Sequence, residues 1–72
     1  MACLNPDGTL TASAIALLKA LTQAGTPQEA AERTGLPLYR IRSSLRELVE
    51  AGLLEESEGS YHTTPSGMQR IT

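Results

Sequence analysis

The sequence predicts a mainly α fold with one small β-hairpin: a three-helix core, the hairpin, and a short C-terminal helix. Three observations predict it. Apolar residues recur at helical spacing in two stretches, residues 11–24 and 37–51. Glycines stand just past the helical stretches, at Gly25, Gly35 and Gly52. The segment 53–65 is too short and too rich in turn residues for another helix of ordinary length.

Residues 1–10 read as an irregular lead-in, with turn chemistry at Asn5-Pro6-Asp7-Gly8. Thr9 and Thr11 are both suited to cap a helix that starts beside them. The first helix is expected over residues 11–24, because Ile15, Leu18 and Leu21 recur on one face with Leu17 beside them. Gly25 is placed to end it in the left-handed conformation. Thr26-Pro27-Gln28-Glu29 is a capping box with proline at the first helical position, so a second helix runs from there to residue 34, where Gly35 stops it. Ala30 and Ala31 let another helix approach closely, and Leu36 anchors the turn.

Pro37 can open the third helix, expected over residues 37–51. At about 100° per residue, Ile41, Leu45, Leu48 and Val49 fall on one stripe, with Leu38 on its flank. Tyr39, Arg40, Ser43, Arg46, Glu47 and Glu50 fall on the other side, and Arg42 on the boundary. Gly52 ends this helix, and Leu53 supplies the apolar contact that accompanies a glycine cap. Two strands are expected over 54–57 and 61–63, joined by Glu58-Gly59-Ser60. An isolated hairpin is marginal in water, so Leu54 and Tyr61 are expected to pack on the third helix. Thr64-Pro65 is a further cap, opening a short helix over residues 65–71.

The 72 residues make one small domain with no repeats and no internal linker. A chain of this size buries only roughly 60% of its unfolded surface, which leaves no room for a deep cleft beside a separate scaffold. Eleven leucines, three isoleucines and one valine, with no Phe or Trp, predict an aliphatic core. The lone thiol, Cys3, cannot close an internal disulfide; an incidental thiol outweighs a redox sensor or an intermolecular link. No apolar run approaches the roughly 18 residues of a membrane span, and the first ten residues lack the blocks of a signal peptide. A cytoplasmic protein with no membrane partner is expected.

Net charge is −2, which weighs against a general nucleic-acid binder. Distribution matters more than the total. Arg40, Arg42 and Arg46 are half of the six basic residues, and Glu47, Glu50, Glu55, Glu56 and Glu58 come directly after them. Any phosphate-binding face is therefore small. The order of short helix, tight turn, longer helix with outward arginines, and hairpin is the outline of a helix-turn-helix with a wing, whose second helix is shaped for the major groove.

That order resembles the winged helix-turn-helix domain of transcriptional regulators, MarR-like in its details. The resemblance covers about residues 10–70. Its most specific part is Leu45-Arg46-Glu47-Leu48-Val49-Glu50-Ala51-Gly52-Leu53-Leu54, which marks the end of the recognition helix and the start of the wing. Tyr61-His62-Thr63-Thr64-Pro65-Ser66-Gly67 resembles the wing exit. The resemblance implies double-stranded DNA as partner. Pro37, Tyr39 and Arg40 would face base edges or the adjacent backbone, Arg42, Ser43 and Arg46 would line the groove, and the amides near Thr26 to Gln28 would approach a phosphate. The chemistry fits: arginine forks onto guanine or phosphate, serine is an adaptable donor and acceptor, and helix N-termini favour anions.

Two departures matter. Glu55, Glu56 and Glu58 stand where DNA-binding wings carry Arg or Lys, so this wing would be repelled by a minor groove. The 72 residues also end where MarR-like proteins continue into long dimerisation helices, so a homodimer on a palindrome would need another interface, the first helix or the C-terminal turn. The alternative reading is a winged-helix protein-interaction module in a larger complex, without DNA binding.

Bland roles compete at several positions. The arginines could be a solvated helix face, Arg46 with Glu50 at i,i+4 spacing. Tyr39 could be a half-buried ring covering the turn, and Tyr61 a core residue. His62 has no partner at ligand spacing and reads as a surface residue of the wing, so no metal site is expected. No cofactor and no enzyme is expected either. Glu47 and Glu50 lie on an exposed helix face rather than in a cleft, the glycines at 52, 59 and 67 are caps and turns, and His62 has no orienting group beside it.

Overall fold

The computed structural model describes residues 10–71. The expectations for Cys3, the Asn5-Pro6-Asp7-Gly8 turn and Thr9 lie outside the described residues. The elements are α1 (Ala12–Ala20), α2 (Pro27–Thr34), α3 (Leu38–Glu50), β1 (Leu54–Ser57), β2 (Ser60–Thr63) and α4 (Pro65–Ile71). The mainly helical architecture with a two-stranded antiparallel hairpin is the one the sequence predicts.

Thr11 caps α1, its Oγ1 accepting from the Ala14 N–H at 3.2 Å. Ala14, Leu17, Leu18 and Leu21 are fully buried, the i, i+3, i+4, i+7 face of one helix. Ile15, expected on that stripe, is only half-buried, and Ala14 takes the central place. The helix is also shorter than expected, ending at Ala20 rather than near residue 24, and Gly25 is not left-handed. The cause is tertiary. Gly25 is drawn out into an isolated antiparallel bridge with Tyr61, its N–H donating to the Tyr61 carbonyl at 3.0 Å and the Tyr61 N–H returning at 2.8 Å. Donors from elsewhere then satisfy carbonyls in the last turn of α1 and just past it. Thr63 Oγ1 donates to Leu18 O at 2.7 Å, the Thr63 N–H to Leu21 O at 2.9 Å, and Arg33 Nη1 to Ala20 O and Gln23 O at 2.9 and 3.0 Å.

The capping box at α2 forms in full. Thr26 Oγ1 accepts from the Glu29 N–H and Glu29 Oε1 from the Thr26 N–H, at 3.2 and 2.8 Å. Gly35 closes the helix in the left-handed region, its N–H on Ala31 O at 2.8 Å. Pro37 stands one residue outside α3 as its N-cap, and Ala51 is the C-cap, so the expected 37–51 helix is trimmed by one residue at each end. The end of α3 is a Schellman motif: the Gly52 N–H reaches Val49 O at 3.0 Å and the Leu53 N–H reaches Leu48 O at 2.9 Å, with Gly52 at φ 78°.

α3 buries Ile41, Ser44, Leu45 and Leu48. Val49, expected on this stripe, is 36% exposed, and Ser44 completes the inward face instead. Ala14, Leu17, Leu18, Leu21, Ala30, Ile41, Leu45, Leu48, Leu53 and Leu54 form one aliphatic cluster, against which Leu10, Ala31, Leu36, Tyr61 and Ile71 pack.

In the hairpin, Leu54 faces Thr63, Glu55 faces His62, Glu56 faces Tyr61 and Ser57 faces Ser60, so Ser60 belongs to the strand rather than the turn. Glu58 (φ 52°) and Gly59 (φ 84°) form the two-residue link, both with positive φ, as a type I′ turn requires. Thr64 ties the exit of the wing to its start, its Oγ1 donating to Gly52 O at 2.7 Å and its N–H to Leu53 O at 3.0 Å. The same Oγ1 accepts from the Gly67 N–H at 3.1 Å and so caps α4.

Candidate nucleic-acid interface

The outward surface of α3 is set by its helical spacing. Tyr39, Arg42, Ser43, Arg46 and Glu50 fall within about 100° of one another around the axis, taking about 100° per residue, and all five are exposed. Tyr39 is 77% exposed, so its ring does not cover the turn. Arg42, Ser43 and Arg46 line a shallow cleft of about 240 Å³. Neither Arg42 nor Arg46 has a hydrogen-bond or ion-pair partner among the described residues, and the Arg46–Glu50 pair that spacing allows is not made. Two guanidinium groups one helical turn apart, with a hydroxyl between them, present forked donors without an acceptor.

The other candidates are placed differently. Arg40 sits on the flank of α3, half-buried, with Nη2 at 3.5 Å from Ser13 Oγ on α1, so it does not share the face of Arg42 and Arg46. Pro37 is exposed at the N-cap of α3. At the start of α2 the capping box takes the Thr26 amide, Pro27 has none, and the Glu29 and Ala30 amides are held by Thr26. Among the described residues, only the Gln28 N–H of this first turn has no acceptor. The Glu29 carboxylate adds a negative charge there, and the Thr26 amide hydrogen bond, with the nearby Arg33 charge, keeps its pKa below the usual carboxylate value. This end of α2 is a weaker anion seat than its position in the chain implies.

A groove of about 490 Å³ separates α3 from the wing. Arg42, Arg46 and Glu50 form one wall, Glu56 the wing side, and Pro27, Val49 and Tyr61 the apolar lining. Val49 and Glu56 were not legible as lining residues. For Val49 the signal was its place at the edge of the apolar arc, beside Arg42. On the other face of the hairpin, Glu55 lies 3.7 Å from His62 Nε2. Glu55, Glu56 and Glu58 are all exposed. Among the described residues no three His, Cys, Asp or Glu side chains gather as a metal site, and no helix is long and apolar enough to cross a membrane.

No protein-family model matches the chain, and no curated protein does. Among solved structures, the chain is similar to BpsR of Bordetella bronchiseptica, described through the regulation of its DNA binding by 6-hydroxynicotinic acid. The TM-score is 0.84 at 25% identity, over 92% of this chain and 53% of that one. The chain thus spans about half the length of that protein and shares its fold over nearly all of its own.

Proposed function

We propose that the chain is a DNA-binding module of a MarR-like transcriptional regulator, one winged-helix domain that inserts α3 into the major groove of double-stranded DNA. The observation that carries this is the exposed pair Arg42 and Arg46, without a partner among the described residues, with Ser43 on the crest of α3. Arginine forks suit guanine edges or phosphates, Ser43 adapts to either, and Tyr39 stands at the leading end of the helix. The likeness to a protein whose DNA binding is regulated supports the same role. The chemistry is binding rather than catalysis, and the setting cytoplasmic. A protein-interaction module in a larger complex, the alternative from the sequence, has only the acidic wing and the net charge of −2 in its favour.

The test is a salt titration of binding to duplex DNA. Each phosphate neutralised contributes about 0.9 to the log–log slope. Arg42→Ala with Arg46→Ala should lower affinity and flatten the slope by up to two such increments. A double variant with the affinity and slope of the unaltered chain removes the mechanism.

A further inference from the structure

We infer that the wing is an electrostatic brake on DNA binding, lowering the affinity of α3 for every sequence alike. The inference rests on the proposed DNA-binding role and concerns how that face is regulated.

Between Arg46 and Arg70 the chain has no lysine or arginine, while Glu55, Glu56 and Glu58 all lie in the hairpin. The fold fixes where these charges sit. Leu54 is buried in the core and so anchors the root of β1. The strand then runs outward with Glu55, Glu56 and Ser57 exposed. Glu56 shares its face with Tyr61, on the groove that Arg42 and Arg46 line from the opposite side. Its carboxylate does not swing freely, because Oε2 accepts from the Gly59 N–H at 2.9 Å. Glu58 occupies the tip at φ 52°. A duplex seated on α3 brings its backbone toward this rim and meets fixed negative charge.

Such repulsion acts through solvent, so it is modest per group and screened by salt, with a Debye length of about 10 Å at 0.1 M. It opposes the sequence-independent, phosphate-driven part of binding. The base-reading contacts of α3 then carry a larger share of the total.

The experiment measures binding of the whole chain to a random-sequence duplex by fluorescence anisotropy, at about 50 mM and about 300 mM salt. Glu56→Gln keeps an oxygen for the Gly59 amide, and Glu58→Gln alters a side chain exposed at the wing tip. Glu32→Gln on α2 makes the same change of net charge away from the wing. Each wing variant is expected to bind about two- to threefold tighter at the lower salt, with the gain fading at the higher, and Glu32→Gln to match the unaltered chain. Wing variants with unchanged affinity, or an equal gain from Glu32→Gln, overturn the brake. If the unaltered chain binds and Arg42→Ala with Arg46→Ala weakens it, that failure belongs to the brake alone. If neither the chain nor its wing variants bind, the DNA reading falls and the brake with it.

Discussion

Thr63 donates its hydroxyl to the carbonyl oxygen of Leu18 at 2.7 Å, a buried bond spanning 45 residues of sequence. It joins the last residue of the wing to the final turn of α1, where the helix can no longer supply an amide of its own. Replacing Thr63 by Val keeps the shape but leaves that carbonyl without its side-chain donor. The expected cost is about 1–3 kcal/mol, read as a lower denaturation midpoint at unchanged m. Thr63→Ser, which keeps the donor, should lose less.

Gly67 holds α4 against the wing root. A Cβ at this position would run into the Leu53 carbonyl oxygen and lie 2.6 Å from Thr63 Cγ2. The obstacle is backbone, so it cannot simply rotate away. Gly67→Ala should therefore destabilise by about 1–3 kcal/mol, as overpacked sites do, although alanine is ordinarily the better helix former. Equilibrium unfolding checks the sign. A more stable Gly67→Ala protein would mean that α4 shifts freely.

Glu58 is the one non-glycine residue among those described with positive φ. A type I′ turn favours Asn-Gly at its centre, and a longer side chain is strained there. Glu58→Asn should raise stability by about 0.5–1 kcal/mol. It also removes a carboxylate from the wing tip, so a gain that persists in high salt identifies backbone strain rather than charge repulsion as the cause.

The Glu29 carboxylate is held ionised chiefly by the Thr26 amide, which places its folded pKa below the ordinary value of 4.5. A depressed folded pKa means that the capping contribution is complete at neutral pH and is lost as pH falls through the folded value. Glu29→Ala should thus be less stable than the unaltered chain at pH 7, and the gap should narrow as pH is lowered below 4.5. A gap independent of pH would show that ionised Glu29 contributes nothing to the cap.

What the sequence disclosed divides along the range of the interactions. The Thr26–Glu29 capping box and the Gly52-Leu53 ending of α3 close within a few residues, and both were legible. The end of α1 was not, because its carbonyls are taken by Arg33 and Thr63, 13 and 45 residues beyond their acceptors. Likewise, helical spacing put Ser43 and Arg46 outward, and both are exposed, as is Arg42, which spacing left on the boundary; Arg40, put on the outer side with them, is half-buried beside α1. Residues at the margins of the apolar arc could not be assigned that way: Val49 opens onto the groove and Ser44 turns inward, since the positions of the wing and α1 decide both. The resemblance brings the amides near Thr26 to Gln28 toward a phosphate, yet the same capping box that marks the helix start occupies the Thr26 amide.

The division among the three arginines gives the most discriminating measurement. Arg40 reaches toward Ser13 on α1, while Arg42 and Arg46 stand on the crest of α3 with no partner among the described residues. Counterion release counts only charges that meet phosphate, at about 0.9 per contact on the log–log salt slope. Single alanine variants should therefore split. Arg42→Ala and Arg46→Ala should each lower DNA affinity, about 1–3 kcal/mol where the side chain reads a base, or flatten the slope by about one increment where it meets phosphate. Arg40→Ala should leave the slope unchanged and act on stability, through its lost contact with α1. A slope that drops equally for all three would mean that Arg40 leaves Ser13 on binding, and that the phosphate-contacting set takes in the flank of α3 as well as its crest.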